Sequence, residues 1–166
     1  MRTSLSLGLC LISSLALAQT PPPAPAPPPL PPEKTIPLDQ AMEAAQAAVA
    51  ACAARNSPAI VQVMDLNQNP KVLLVGDGAR AGSFEPARRK AYTVLKKGMS
   101  SGAFAKSIGS PPVNTVIEGD PSLRASAGGL PILKGGAIIG AIGVSSPLGQ
   151  EIDEICAQAG IAKFKL

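Results

Sequence analysis

Residues 137–144 read AIIGAIGV, an aliphatic strand interrupted by glycine at Gly140 and Gly143. Glycine inside a strand gives up side-chain packing and backbone entropy, so it marks a bulge or the close approach of another backbone or a ligand. A second apolar run, 130–133, precedes it across a Lys134-Gly135-Gly136 turn, and two such runs joined by a short glycine turn read as a hairpin. After a Pro-Leu-Gly break, residues 150–159 read as a helix that carries Glu151, Asp153 and Glu154 first, at the end where the helix dipole favours acids. The hairpin and helix form the spine of the chain, and the upstream segments read as what packs against it.

The composition sets what can pack there. Aromatic residues make up 2% of the chain and histidine is absent, so alanine and small aliphatic residues must fill the core. Without histidine the chain lacks the usual general base, the commonest metal ligand and the commonest haem ligand. Ser-His-Asp and Cys-His catalysis are excluded with it. The net charge of +4 is modest, and so few aromatic rings leave little on which bases could stack, so no nucleic-acid partner is expected.

The cysteines are Cys10, Cys52 and Cys156, with no Cys/His spacing that suits zinc. Cys10 falls in a targeting segment. Cys52 and Cys156 lie in separate expected helices and are either one disulfide of an exported protein or two buried thiols. The thiol reading is preferred, because helical placement alone does not bring two cysteines within bonding distance.

Residues 1–18 have a basic start, an apolar run from Leu5 to Leu17 and an Ala16-Leu17-Ala18 site, which together read as a secretory signal peptide cleaved after Ala18. A periplasmic or secreted location is expected, with no integral membrane segment after cleavage. Residues 19–34 are dominated by Pro and Ala. They read as a disordered linker with an extended polyproline spacer in it. The folded domain is placed at 35–166.

Within it, Leu38, Met42, Ala45, Val49 and Cys52 recur at three- and four-residue steps, which predicts a helix over 38–55. Residues 59–64 and 71–75 read as a β-hairpin around the turn Leu66-Asn67-Gln68-Asn69-Pro70, with Asp65 capping that turn. A glycine-rich loop, 76–83, leads into a helix that runs to about Lys97, with Ser83 as its N-cap and Gly98 as its stop. A short helix is expected over 101–108. Residues 110–126 read as irregular, with one short strand at 113–117. The whole is an α+β domain with an antiparallel sheet.

Several runs together resemble the GlcG/HbpS-like family of haem-binding or haem-degrading domains. They are Val63-Met64-Asp65, Gly76-Asp77-Gly78-Ala79, Ala87-Arg88-Arg89-Lys90-Ala91-Tyr92-Thr93, Gly128-Gly129-Leu130-Pro131-Ile132, Gly140-Ala141-Ile142-Gly143-Val144-Ser145 and Asp153 to Gly160. The resemblance spans about Ile36 to Phe164. It implies a profilin-like fold, an antiparallel sheet of about five strands with helices packed on it, that assembles into homo-oligomers. It also implies a small-molecule ligand, with haem or a related tetrapyrrole first. The chain departs from the family pattern at the 66–70 turn, where a glycine is usual, and at Ser146, which stands where a glycine usually follows Val-Ser. The left-handed conformation such a turn needs is one that Asn adopts readily.

The candidate ligand site is Arg88, Arg89, Lys90, Tyr92 and Thr93 with Gly128 and Gly129. Arginine and lysine beside a glycine-rich loop and a helix start suit a carboxylate or a haem propionate, although such a charge run is also the ordinary mark of a solvated helix face. Tyr92 is the first choice of iron ligand, ahead of Met64, Met99 and the cysteines, since tyrosine ligates haem iron elsewhere. The plain alternative is a half-buried tyrosine with its hydroxyl bonded. Thr93 is also suited to bond its own helix backbone, and Gly128 and Gly129 to serve a tight turn. No catalytic residue is assigned. The chain reads as a non-enzymatic, exported binding protein, with an oligomeric structural module lacking haem affinity as the alternative, and haem degradation as the one enzymatic reading.

Overall fold

The computed structural model describes residues 36–112 and 114–165. The expected signal peptide and the linker lie outside them. Element order is α1 (Leu38–Ala53), β1 (Ile60–Asp65), β2 (Pro70–Val75), α2 (Phe84–Lys97), α3 (Ser101–Ser107), β3 (Gly129–Lys134), β4 (Ala137–Ser145) and α4 (Gln150–Ile161). A short 3-10 turn, Ala81–Ser83, leads into α2.

The α+β architecture is as expected, with four strands in the order β2-β1-β4-β3 rather than about five. Every neighbouring pair is antiparallel. The strand expected at 113–117 reduces, among the described residues, to a single bridge between Ile117 and Asp120. Prolines at 111, 112 and 121 bracket that stretch, and proline cannot donate to a ladder.

Helices cover both faces of the sheet. On one, α1 and α4 pack together, and Ala41, Ala45, Ala48, Cys52, Cys156 and Ala157 close over Val61, Val63, Ile132, Ile142 and Val144. On the other lies α2, whose Ala91 and Val94 meet Met64 and Ala141. Small side chains allow both approaches. A Cβ on Gly143 would run into the Ala87 carbonyl oxygen of α2, and one on Gly140 into Ile36 and the Met64 carbonyl oxygen. Gly143 therefore serves the close approach of α2, and Gly140 makes room for Ile36 and the neighbouring strand β1.

Cys52 and Cys156 form a disulfide, their Cα atoms 5.5 Å apart. This corrects the preference for separate thiols: the spacing of apolar residues finds each helix but does not say that α1 and α4 are neighbours. At the β1–β2 turn, Asp65 acts as the cap that was expected. Its Oδ1 accepts from the amides of Asn67 and Asn69, both at 2.9 Å, and its Oδ2 from Asn69 Nδ2 at 3.1 Å. The left-handed residue there is Gln68, at φ 65°, and not an asparagine. Both asparagine amides are held by Asp65, which leaves Gln68 to reverse the chain. Ser83 occupies the N-cap position of α2 but makes no capping hydrogen bond, because the preceding 3-10 turn already sets the helix start. Gly98 ends α2 in the left-handed conformation, φ 67°.

Candidate functional site

The α2 helix carries its lysine inward. Lys90 is 2% exposed, and its Nζ donates to the Val144 carbonyl oxygen at 2.8 Å and to Asp153 Oδ2 at 2.6 Å. Asp153 is equally buried, in the first turn of α4. Its other oxygen, Oδ1, accepts from Ser146 Oγ at 2.6 Å. This ion pair joins the helices of the two layers where β4 ends and β3 begins. Gly128 makes room for it: a Cβ there would stand 2.6 Å from Asp153 Cβ and 2.9 Å from Lys90 Nζ.

Burial dominates the electrostatics of the pair. Desolvation pulls the Lys90 ammonium below its ordinary value, and the Asp153 charge only partly offsets it. Desolvation likewise pushes the Asp153 carboxyl up, against the pull of Lys90 and Ser146. Both shifts carry the sign expected when ions leave water. Hydrogen bonds to the remaining lone pairs, such as Ser146 provides, help a buried pair persist.

Two clefts open at the start of α4, and the larger of them reaches the pair. One, of about 480 Å³, is lined by Lys90, Arg124, Ser126, Ser145, Ser146, Leu148, Gly149, Gln150, Glu151 and Asp153. The other, of about 380 Å³, is lined by Ser100, Gly102, Ala103, Ala105, Lys106, Ser110, Ala127, Gln150, Glu151 and Glu154. The α4 helix has no side-chain cap and starts after Gly149, at φ 80°, so its first amides lack helical acceptors. In the larger cleft, Arg124 Nε and Ser126 Oγ are buried with no hydrogen-bond partner. Desolvation and the neighbouring Arg89 lower the Arg124 guanidinium from its ordinary value.

The candidate residues named from the sequence divide among three settings. Lys90 reaches the larger cleft. Thr93, Gly128 and Gly129 are structural. The Thr93 hydroxyl donates to the Arg89 carbonyl oxygen within its own helix, as anticipated, and also accepts from the Arg124 amide. Gly129 packs on the Lys90 backbone, and its amide donates to Ser101 Oγ at 2.8 Å. Arg88, Arg89 and Tyr92 line neither cleft. Arg88 pairs with Glu85 on the surface, and Arg89 Nη2 donates to the Leu123 carbonyl oxygen at 2.6 Å. The Tyr92 ring packs with Phe104, Ala105, Ile117, Leu123 and Ala125, and its hydroxyl donates to Asp120 Oδ2 at 3.0 Å. The glycine-rich loop at 76–83 also lies outside both linings; its Gly76 amide bonds the Ala59 carbonyl oxygen instead.

Arg124, Ser126, Ser146 and Asp153 were not among the residues selected from the sequence. Arg124 and Ser126 sit in an irregular stretch with no periodicity to mark an inward face. In the sequence Ser146 stands out only as a departure from a family glycine, and Asp153 as a first-turn acid that opens a family-like run. In the structure that departure supplies the hydroxyl that holds Asp153.

The larger cleft offers cationic and hydroxyl groups that suit carboxylates. Neither cleft lining includes a Tyr, Met or Cys side chain able to ligate haem iron. Among the described residues, no group of three or more His, Cys, Asp or Glu is placed to hold a metal ion, and no helix is long and apolar enough to cross a membrane.

Over residues 36–162 the sequence matches the family described as "Haem degrading protein HbpS-like", and the chain belongs to that family. Solved structures agree. The crystal structure of HbpS is 35% identical, with 76% of this chain and 88% of that one covered and a TM-score of 0.69. A double mutant of HbpS from Streptomyces reticuli is 33% identical, with 84% and 97% covered and a TM-score of 0.68. The complex of PduOC with heme is 21% identical, with 78% and 95% covered and a TM-score of 0.68, a likeness of fold. Among curated proteins, no sequence matches.

Proposed function

We propose that this chain is an exported protein that binds haem or a related tetrapyrrole without transforming it. The observation that carries the reading is membership of the HbpS-like family across nearly the whole described domain. The heme complex of PduOC, on the same fold, is consistent with it. Export is inferred from the first 18 residues, whose basic start, apolar run and Ala-Leu-Ala site suit a signal peptide. The non-enzymatic reading rests on a sequence without histidine, which leaves no residue that titrates near neutrality in its unperturbed state to serve as acid or base.

Haem held by this chain would have its iron met by a residue other than histidine. Tyr92 remains the first choice on the precedent of tyrosine-ligated haem, and its ring stands half-buried against an apolar cluster. Its hydroxyl would have to leave Asp120 to reach iron. Arg88, on the same face of α2 four residues earlier, would serve an acidic side chain of the ligand.

Titration with hemin tests the reading. A saturable shift of the Soret band, weakened and moved in Tyr92→Phe, is expected. A flat, nonspecific response would leave the oligomeric module without haem affinity as the better account. Loss of hemin with bilin formation under a reductant, above a heat-killed control, would replace it with an enzyme.

A further inference from the structure

The larger cleft holds donors that the fold leaves unused. Ser126 is 1% exposed, and its Oγ has no partner. Arg124 Nε is likewise buried and unpartnered, while the nearby Asp153 is already committed to Lys90 and Ser146. Lys90 Nζ has three N–H donors and directs them at two protein acceptors. The start of α4, a 12-residue helix with no side-chain cap, closes the same cleft. A buried polar group without a partner is costly, and here two of them lie beside an uncapped helix start.

We propose that the cleft between Lys90, Arg124, Ser126 and the first turn of α4 is a binding site for a single carboxylate group of an organic acid. Charge selects this class of ligand. Lys90 and Arg124 are balanced by Asp153 and Glu151, all four of them lining the cleft. What remains is the helix end, equivalent to roughly half a positive charge. One carboxylate suits that balance, and a phosphate dianion does not. The planar fork of a guanidinium also matches a carboxylate edge. Ser145 and Ser146, on the same wall, supply hydroxyls to a second polar group on the acid.

Two sources carry this chemistry: a free organic acid, and the propionate arms of a tetrapyrrole. The site does not depend on the haem reading. Sodium propionate is the probe, added to the whole 15N-labelled chain. Saturable amide shifts centred on Ser126, Gln150 and Glu151 are expected, with a dissociation constant on the order of millimolar for so small a ligand. Arg124→Gln should weaken binding about tenfold or more, as expected for losing a charged hydrogen-bond partner. Ser126→Ala removes no hydrogen bond that Oγ makes in the free protein and should weaken binding a few-fold with the fold intact. Inorganic phosphate should bind more weakly than propionate. Shifts that never saturate, or that persist unchanged in both variants, overturn the proposal.

Hemin added to the propionate complex separates the sources. Displacement of propionate from Gln150 and Glu151 assigns the site to tetrapyrrole propionates, and an undisturbed site assigns it to a free acid. A propionate response without any Soret response removes haem binding and keeps this site. A Soret response without a propionate site removes this site alone.

Discussion

The two faces of the sheet are packed on opposite terms. Against α1 and α4, buried alanines meet Val61, Val63, Ile142 and Val144, and a disulfide ties the helices together. Against α2, the apolar cluster is only Met64, Ala91, Val94 and Ala141, with Lys90 and Thr93 buried on the same helix. The buried polar atoms found without partners among the described residues are Gln62 Oε1, Arg89 Nε, Arg124 Nε and Ser126 Oγ. Gln62 alternates with Val61 and Val63 and so faces α2, while Arg89 belongs to α2 and Arg124 bonds it through Thr93. Stability is concentrated on the first face, and groups that cost stability on the second.

The contrast can be broken first on the dry face. Replacing Cys52 and Cys156 together by alanine should lower stability by about 4 kcal/mol, given the length of chain the bond closes, read as a drop in the urea midpoint. On the polar face, Lys90→Met alone should cost about 3 kcal/mol, because it strands Asp153. The double change Lys90→Met with Asp153→Leu should recover most of that loss, since well-packed apolar replacement of a buried pair is often neutral or better. A double variant as unstable as the single one would show that the pair is net stabilising. Next, Gly143→Ala should cost about 2 kcal/mol by pushing α2 off the sheet, whereas Gly82→Ala, with open space around the added Cβ, should stay near zero.

The smallest effect sought is in pH. The folded Asp153 carboxyl is raised above its ordinary value of 3.8, so in the interval just above 3.8 the folded chain binds more protons than the unfolded one. Its contribution to stability therefore falls as pH rises across that interval. Lys90 is lowered from 10.5, so just below 10.5 the unfolded chain binds more protons and the contribution of Lys90 rises with pH. Subtracting the curve of the Lys90→Met, Asp153→Leu variant from that of the original chain should expose a broad minimum between these intervals. A flat difference would remove burial as the controlling influence on the pair.

Much of this architecture is legible in the sequence because it is local. The α1 helix, the Lys134-Gly135-Gly136 hairpin and the glycine stop of α2 each announce themselves within a few residues. The inward face of α1 does not: Leu38 and Met42 of the expected stripe are exposed, and Ala41, Ala44, Ala45, Ala48 and Cys52 are buried, because alanine on every side of the helix blurs the period. The glycines of β4 even signal that something must come close, though not that the visitor is the backbone of α2 at Gly143 and Ile36 at Gly140. The cleft is not local. Arg124 and Ser126 come from an irregular segment, Lys90 from a helix, and Ser146 and Asp153 from beyond the last strand. Their meeting depends on the crossing of layers, which no window of sequence contains. The charge run on α2 is informative only on average. Of its consecutive basic residues, Arg88 pairs with Glu85 at the surface, Arg89 turns to a loop carbonyl and Lys90 goes inside.

The Cys52–Cys156 bond has a topological consequence. It joins the first helix of the domain to the last, across a separation of 104 residues, so every strand, both clefts and the whole of α2 lie within one covalent ring. A protease that cuts any single loop inside the ring, at the 66–70 turn or after Gly109, leaves one molecule of undiminished mass until the bond is reduced. In an oxidising compartment such a nicked chain would still hold its two pieces together, with α1 and α4 still stapled across the sheet they cover.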